Sequence, residues 1–189
     1  MSAVAKSPPP KMTSAEFLLW AEVQPEGRYE LHHGEIVTMQ SELVRHTVVK
    51  ANVFRCLQDA VRARKLPCSV FTDGATVVID DTTTYGPDAV VQCGGTVDLD
   101  AVTVTNPTII VEVSSPSSVK YDVALKMPDY FSLPSVAHVL LVDPVKKRII
   151  KHSRGEAPQL LTELLTVSDT LRLDPPGLEF AVANCFADT

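Results

Sequence analysis

Thr108-Ile109-Ile110-Val111-Glu112-Val113 is an apolar run broken by one carboxylate. A short apolar run of this kind, rich in β-branched residues, predicts a strand at the centre of a sheet. Upstream, Gly86-Pro87-Asp88 opens a second run, Ala89-Val90-Val91, predicted to be another central strand. If the two are antiparallel neighbours, the start of one lies beside the end of the other. Asp88 and Glu112 would then project to one point. A carboxylate inside an apolar strand is costly unless it is paired or metal-bound, and Mg²⁺ favours hard oxygen ligands, usually taking one or two carboxylates from protein. The plainer reading has Glu112 pointing outward from a half-exposed strand, and the residues alone leave both open.

Outward from this pair, Glu42 to Lys65 contains neither proline nor glycine, and Val49, Val53, Leu57, Ala60 and Val61 recur at helical spacing. Thr13 and Glu16 have the spacing of a capping box ahead of Phe17, Leu18 and Trp20, which predicts a short amphipathic helix. Arg28 to Met39 reads as two short strands turning at His32-His33-Gly34. Ser69 to Phe71 and Thr76 to Ile79 are strand-like on either side of Asp73-Gly74. A second helix is expected from about Ser118 to Phe131, then a hairpin of His138–Val142 with Arg148–Lys151. Leu160–Leu165 and Leu171–Leu173 are expected at sheet edges. Helices before and between the strands of one mixed sheet make an α/β sandwich in three layers.

The 189 residues, 45% hydrophobic, suffice for one domain with a sizeable core. We expect it over residues 12–189, behind a proline-rich, disordered leader over 1–11. No apolar run reaches the roughly 18 residues of a membrane span, and the N-terminus has no secretion-signal pattern; a soluble, cytoplasmic protein is expected. Cys56, Cys68, Cys93 and Cys185 form no C-x-x-C pair and are expected to be reduced structural thiols. A net charge of −6 argues against nonspecific nucleic-acid binding over the whole surface. Arg45, Lys50, Arg55, Arg62, Arg64 and Lys65 read as a solvated helix face, with a DNA-backbone contact as the alternative.

Several stretches, in order, carry a resemblance: Tyr29-Glu30-Leu31-His32-His33-Gly34-Glu35; Gly86-Pro87-Asp88-Ala89-Val90-Val91; Val111-Glu112-Val113-Ser114-Ser115-Pro116-Ser117-Ser118; Asp122, Lys126 and Tyr130; and Leu141-Val142-Asp143-Pro144. From about Met12 to Phe186 the chain resembles the Uma2 family of restriction-endonuclease-like proteins, within the PD-(D/E)XK nuclease superfamily. The resemblance implies a restriction-endonuclease-like three-layer sandwich, its central mixed sheet flanked by helices. It implies Mg²⁺- or Mn²⁺-dependent cleavage of DNA, and a homodimer is expected for cutting both strands. It makes Asp88 and Glu112 the metal ligands, helped by Glu35 as an additional acid that also holds the metal.

The superfamily's lysine would fall at Ser114, whose hydroxyl supplies no permanent charge. The resemblance shifts that role to Lys126, which alone would read as an exposed ion pair with Asp122, four residues earlier. Pro128, two residues on, predicts a kink that could move Lys126. His46 matches a position where family members often carry histidine, with a phosphate contact or a half-buried structural role as its two readings. His32 and His33, adjacent on a strand, are read as turn decoration. The competing function is a nuclease-fold module that binds nucleic acid or protein without cutting.

Overall fold

The computed structural model describes residues 11–24, 27–39, 41–114, 119–156 and 159–189, with the backbone alone over 119–124. The leader expected before Lys11 and the turn at 115–118 lie outside the described residues. In chain order the elements are α1 (Ser14–Glu22), β1 (Tyr29–His32), β2 (Glu35–Thr38), α2 (Val44–Arg64), β3 (Cys68–Thr72), β4 (Val77–Asp80), β5 (Thr83–Tyr85), β6 (Ala89–Cys93) and β7 (Pro107–Val113). Then come α3 (Val119–Ser132), β8 (His138–Asp143), β9 (Arg148–Arg154), β10 (Leu160–Thr166), β11 (Thr170–Leu173), β12 (Leu178–Ala181) and a 3₁₀ turn, Val182–Phe186.

The central sheet has the order β10-β9-β8-β7-β6-β3. Its strands pair antiparallel except β7 with β8. That parallel pair needs a crossover, which α3 provides. The two apolar runs are therefore the antiparallel neighbours β6 and β7, at the middle of the sheet.

Side chains alternate across the pleat. Ala89, Val91, Ile109, Val111 and Val113 pack beneath α2, against Val49, Val53 and Leu57. Val90 and Ile110 face the other way, towards Met127 and Tyr130 of α3 and Val77 and Tyr85 of a smaller sheet ordered β2-β1-β5-β4. The layers are thus α2, the central sheet, and α3 with the small sheet. α2 stops where Lys65 turns left-handed at φ +52°, its N–H returning to Val61 and Arg62, two residues before Pro67. The capping box at Thr13 and Glu16 is present. The β1–β2 turn places His33 and Gly34 at positive φ, the twist a two-residue hairpin requires.

The strands flanking Asp73-Gly74 do not pair with each other: β3 joins β6 through five registered pairs, and β4 joins β5. This leaves Asp73 in a turn at the end of the central sheet. Cys68 and Cys93 stand opposite each other in the β3–β6 register and are joined by a disulfide, whereas Cys56 and Cys185 remain free. The bridge corrects the expectation that all four cysteines are reduced thiols. Pro128 lies inside α3, which runs to Ser132, close to the expected end at Phe131. No described helix is long and apolar enough to cross a membrane.

Candidate active site

Ala89 pairs with Val111 and Val90 with Ile110, which brings Asp88, just before β6, beside the end of β7; Glu112 meets α3 through Lys126 and Tyr130, whereas Asp88 meets α2 through Lys50. They are 5% and 8% exposed. Asp88 is fixed to β7 twice: its N–H donates to the Val111 carbonyl (3.0 Å), and its Oδ2 accepts the Val113 N–H (2.6 Å). The rest of the Gly86-Pro87-Asp88 motif also serves the site, because the Gly86 N–H donates to Glu30 Oε1 at 3.1 Å.

Glu112 Oε1 accepts the Tyr130 hydroxyl at 2.6 Å and the Lys126 ammonium at 3.3 Å. Lys126, only 5% exposed, donates to Glu30 Oε1 at 2.8 Å and lies 5.2 Å from the centre of the Tyr85 ring. The other Glu30 oxygen meets His32 Nε2 at 3.0 Å, and Tyr85 anchors its hydroxyl on Asp129. Three elements thus converge on Lys126: β1 through Glu30, β7 through Glu112, and β5 through Tyr85.

At the opposite end of the pair, Lys50 reaches from α2 around the start of β6. Its Nζ lies 2.6 Å from Asp88 Oδ1 and 3.6 Å from Asp73, and it also contacts Glu42. Oxygens of Glu42, Asp73 and Asp88 lie within 4.8 Å of one another. Arg28 spans Glu42 and Asp73 at 3.3 and 3.1 Å, on the wall of a cleft of about 480 Å³ that also exposes Ser41, Thr47 and Thr72.

The electrostatics follow from burial. Burial pushes the Glu112 carboxyl up to about 7; Lys126 pulls it back while Asp88 and Glu30 push it further. Burial also raises Asp88, against the pull of Lys50 and the Val113 N–H. Glu30, which burial alone would raise, is brought below its usual range by His32, Lys126 and Gly86. The Lys50 ammonium, which burial alone would discharge, is held charged above its ordinary range by Asp88 and Glu42.

His32 aside, five carboxylates (Glu30, Glu42, Asp73, Asp88, Glu112) face Arg28, Lys50 and Lys126 among the described residues. Burial raises Glu112 and Asp88 towards their neutral forms, while Glu42, Asp73 and Arg28 stand partly exposed at the mouth of the cleft. Hard oxygen donors of this kind suit a divalent cation, whose binding would displace those protons.

Of the residues expected from sequence, Asp88, Glu112 and Lys126 come together. Glu35 does not join them: β2 is the edge of the small sheet and leaves it exposed, whereas Glu30, on the interior strand β1, is the acid that reaches the site. His46 is buried in the first turn of α2, one turn before Lys50. Its enclosed Nε2 has no hydrogen-bond partner among the described residues, so a phosphate could meet it only after that turn moves. His32 is no turn decoration, being buried against Glu30 and Tyr85; His33 is the exposed member of the pair. Asp122 has no described side chain.

Sequence reasoning also passed over Glu42, Asp73, Lys50 and Tyr130 as site residues. For Lys50 a signal existed: it follows Val49 at the i+4 position from His46, within the buried stripe of α2 rather than on its solvated face.

A mixed sheet carrying paired acids at the junction of its middle strands, with a lysine supplied from the crossover helix, defines a nuclease-like α/β sandwich. The family model for Uma2, described as "Putative restriction endonuclease", matches residues 14–183, and the chain belongs to that family. Two relatives from Synechocystis sp. are each 28% identical. "Uncharacterized protein slr1290" aligns over 93% of this chain and 92% of its own length. "Uncharacterized protein sll1609" aligns over 82% and 88%. Among solved structures, a "putative nuclease belonging to DUF820" from Anabaena variabilis superposes with a TM-score of 0.73 at 17% identity, covering 93% of this chain and 98% of that one, and so shares the fold.

Proposed function

We propose that this protein is a metal-dependent endonuclease that hydrolyses DNA phosphodiester bonds at the Asp88–Glu112 pair. The observation that carries this reading is the meeting of two buried acids, Asp88 just before β6 and Glu112 on β7, each touched by a buried lysine, with the further carboxylates Glu30, Glu42 and Asp73 around them.

Asp88 and Glu112 would hold the ion, Mg²⁺ with Mn²⁺ able to replace it. When bound, the ion supplies Lewis acidity at the phosphate and a water of lowered pKa. Tyr130 fixes the rotamer of Glu112, and the Val113 N–H fixes that of Asp88, so the acids need little reorganisation. Lys126 is held by Glu30 and Glu112 and stacked on Tyr85. It supplies the positive charge that Ser114 lacks, orienting the attacking water and stabilising the negative charge that grows on the phosphoryl oxygens. Glu30, rather than Glu35, is the early acid in this scheme. Cutting both strands of a duplex would take two copies related by symmetry, acting as a homodimer.

A non-cutting, DNA-binding module is the second reading, favoured by the engagement of Lys50 and Lys126 with acids. Incubating supercoiled plasmid and single-stranded DNA with purified protein in Mg²⁺, Mn²⁺ or EDTA separates the two. Nicking that needs metal and disappears in Asp88→Ala and Lys126→Ala is the expected result. An intact plasmid under every condition, together with no metal uptake, would leave the binding module.

A further inference from the structure

Asp88 is approached by donors on both of its oxygens. Oδ2 accepts the Val113 N–H, a backbone contact fixed by the β6–β7 ladder, and Oδ1 is held by Lys50 at 2.6 Å. The oxygen that can turn towards an incoming cation is therefore the one Lys50 holds. Glu42 and Asp73, whose oxygens lie within 4.8 Å of each other and of Asp88, hold the same ammonium.

Lys50 is 7% exposed, at the cleft and on the buried stripe of α2, where a neutral side chain would pack without desolvation cost. A charged one is retained there with its ammonium at the meeting point of three carboxylates.

Resting on the metal-dependent reading above, we propose that Lys50 is a tethered counter-ion that competes with the divalent cation for Asp88. With Lys50 seated, the site is internally neutralised and takes up metal weakly. Metal uptake requires the ammonium to leave Oδ1, since two cations within a few ångströms of one buried oxygen repel strongly in a low dielectric. The cleft beside Thr47 and Thr72 is the direction in which it can withdraw, remaining close enough to meet a phosphate of a bound strand.

Mn²⁺ titration followed by electron paramagnetic resonance, without DNA, tests this on the full chain. Lys50→Met keeps length and removes charge. It is expected to bind Mn²⁺ at least tenfold tighter than the unaltered protein, and adding Asp88→Asn should erase the gain. Equal or weaker Mn²⁺ binding by Lys50→Met would overturn the proposal.

Should that variant fold poorly, amine-reactive footprinting of the unaltered protein decides. Labelling of Lys50 is expected to rise when Mn²⁺ is added, and labelling unchanged at saturating Mn²⁺ overturns the proposal. Plasmid cleavage by the unaltered protein separates this from the broader reading. Metal-dependent cleavage with no gain in Lys50→Met sinks the counter-ion role alone. Tighter Mn²⁺ binding by Lys50→Met with no cleavage by either protein sinks the nuclease reading alone.

Discussion

Glu112 concentrates the chemistry of the site in one carboxyl group. Its pKa, pushed by burial from an ordinary 4.5 to about 7, means that between those values the folded protein holds a proton the unfolded chain has released. The sign follows: where the native state binds more protons, stability falls as pH rises. The Glu112 contribution should thus erode from about pH 4.5 to about 7 and be flat above. Glu112→Gln, which cannot ionise, should remove that slope from urea midpoints measured at pH 5, 6, 7 and 8. A metal at Glu112 must displace the same proton, so Mn²⁺ affinity should rise from pH 6 to pH 8 in the unaltered protein.

The Tyr130 hydroxyl, buried and donating to Glu112 at 2.6 Å, belongs to the same unit. At pH 8, where Glu112 is ionised, Tyr130→Phe removes a hydrogen bond to a charged group and should cost about 1.5 to 3 kcal/mol in chemical denaturation. An effect below about 0.5 kcal/mol would mean that Lys126 alone holds Glu112.

Elements set which of these residues could be read from sequence. The β6–β7 pair and α2 were legible because their patterns are long and one-sided: continuous apolar strands, and a stripe of Val49, Val53, Leu57 and Val61. Asp88 and Glu112 came with the strands. β5 was not legible, since three residues, Thr83–Tyr85, carry too little periodicity, and Tyr85 beneath Lys126 was lost with it. Nor could the hairpin choose between Glu30 and Glu35. Register pairs Glu35 with His32 and Glu30 with Val37, so both acids share one face. Only the burial of β1 between β2 and β5 decides, and that is tertiary. The Cys68–Cys93 bridge was hidden for the same reason, as a spacing of 25 residues says nothing until β3 and β6 are neighbours.

α3 carries its own prediction. Pro128 is exposed, and it deprives the helix of one hydrogen bond without displacing Lys126 from Glu30 and Glu112. Pro128→Ala restores that bond and relieves the ring's crowding of the preceding turn, a defect that costs up to about 3 kcal/mol in a helix interior. It should raise the melting temperature and leave metal-dependent cleavage unchanged. A lowered melting temperature would show that the proline is needed for the path α3 takes across the sheet.

The molecule as a whole carries a charge of −6, and on the proposed function a polyanionic substrate would have to approach a site rich in carboxyl groups. The basic residues of α2 do little to offset this. Lys50 is buried on Asp88, Arg64 pairs with Glu179, and Arg55 turns to Asn52. With three of the six basic residues from Arg45 to Lys65 engaged by neighbours, α2 leaves few free cations for counterion release over many phosphates, the usual source of nonspecific affinity. On the proposed function, a divalent ion held by Asp88 and Glu112 would supply much of the attraction for the phosphate. In a filter-binding or fluorescence-anisotropy measurement with Ca²⁺, which bridges while supporting little cleavage, DNA affinity should exceed that in EDTA by tenfold or more. Asp88→Ala should abolish the difference, and the salt dependence should be shallow, reflecting few phosphate contacts. Binding of equal strength in EDTA, with a steep salt slope, would place the DNA on a surface away from these carboxylates and favour the non-cutting module.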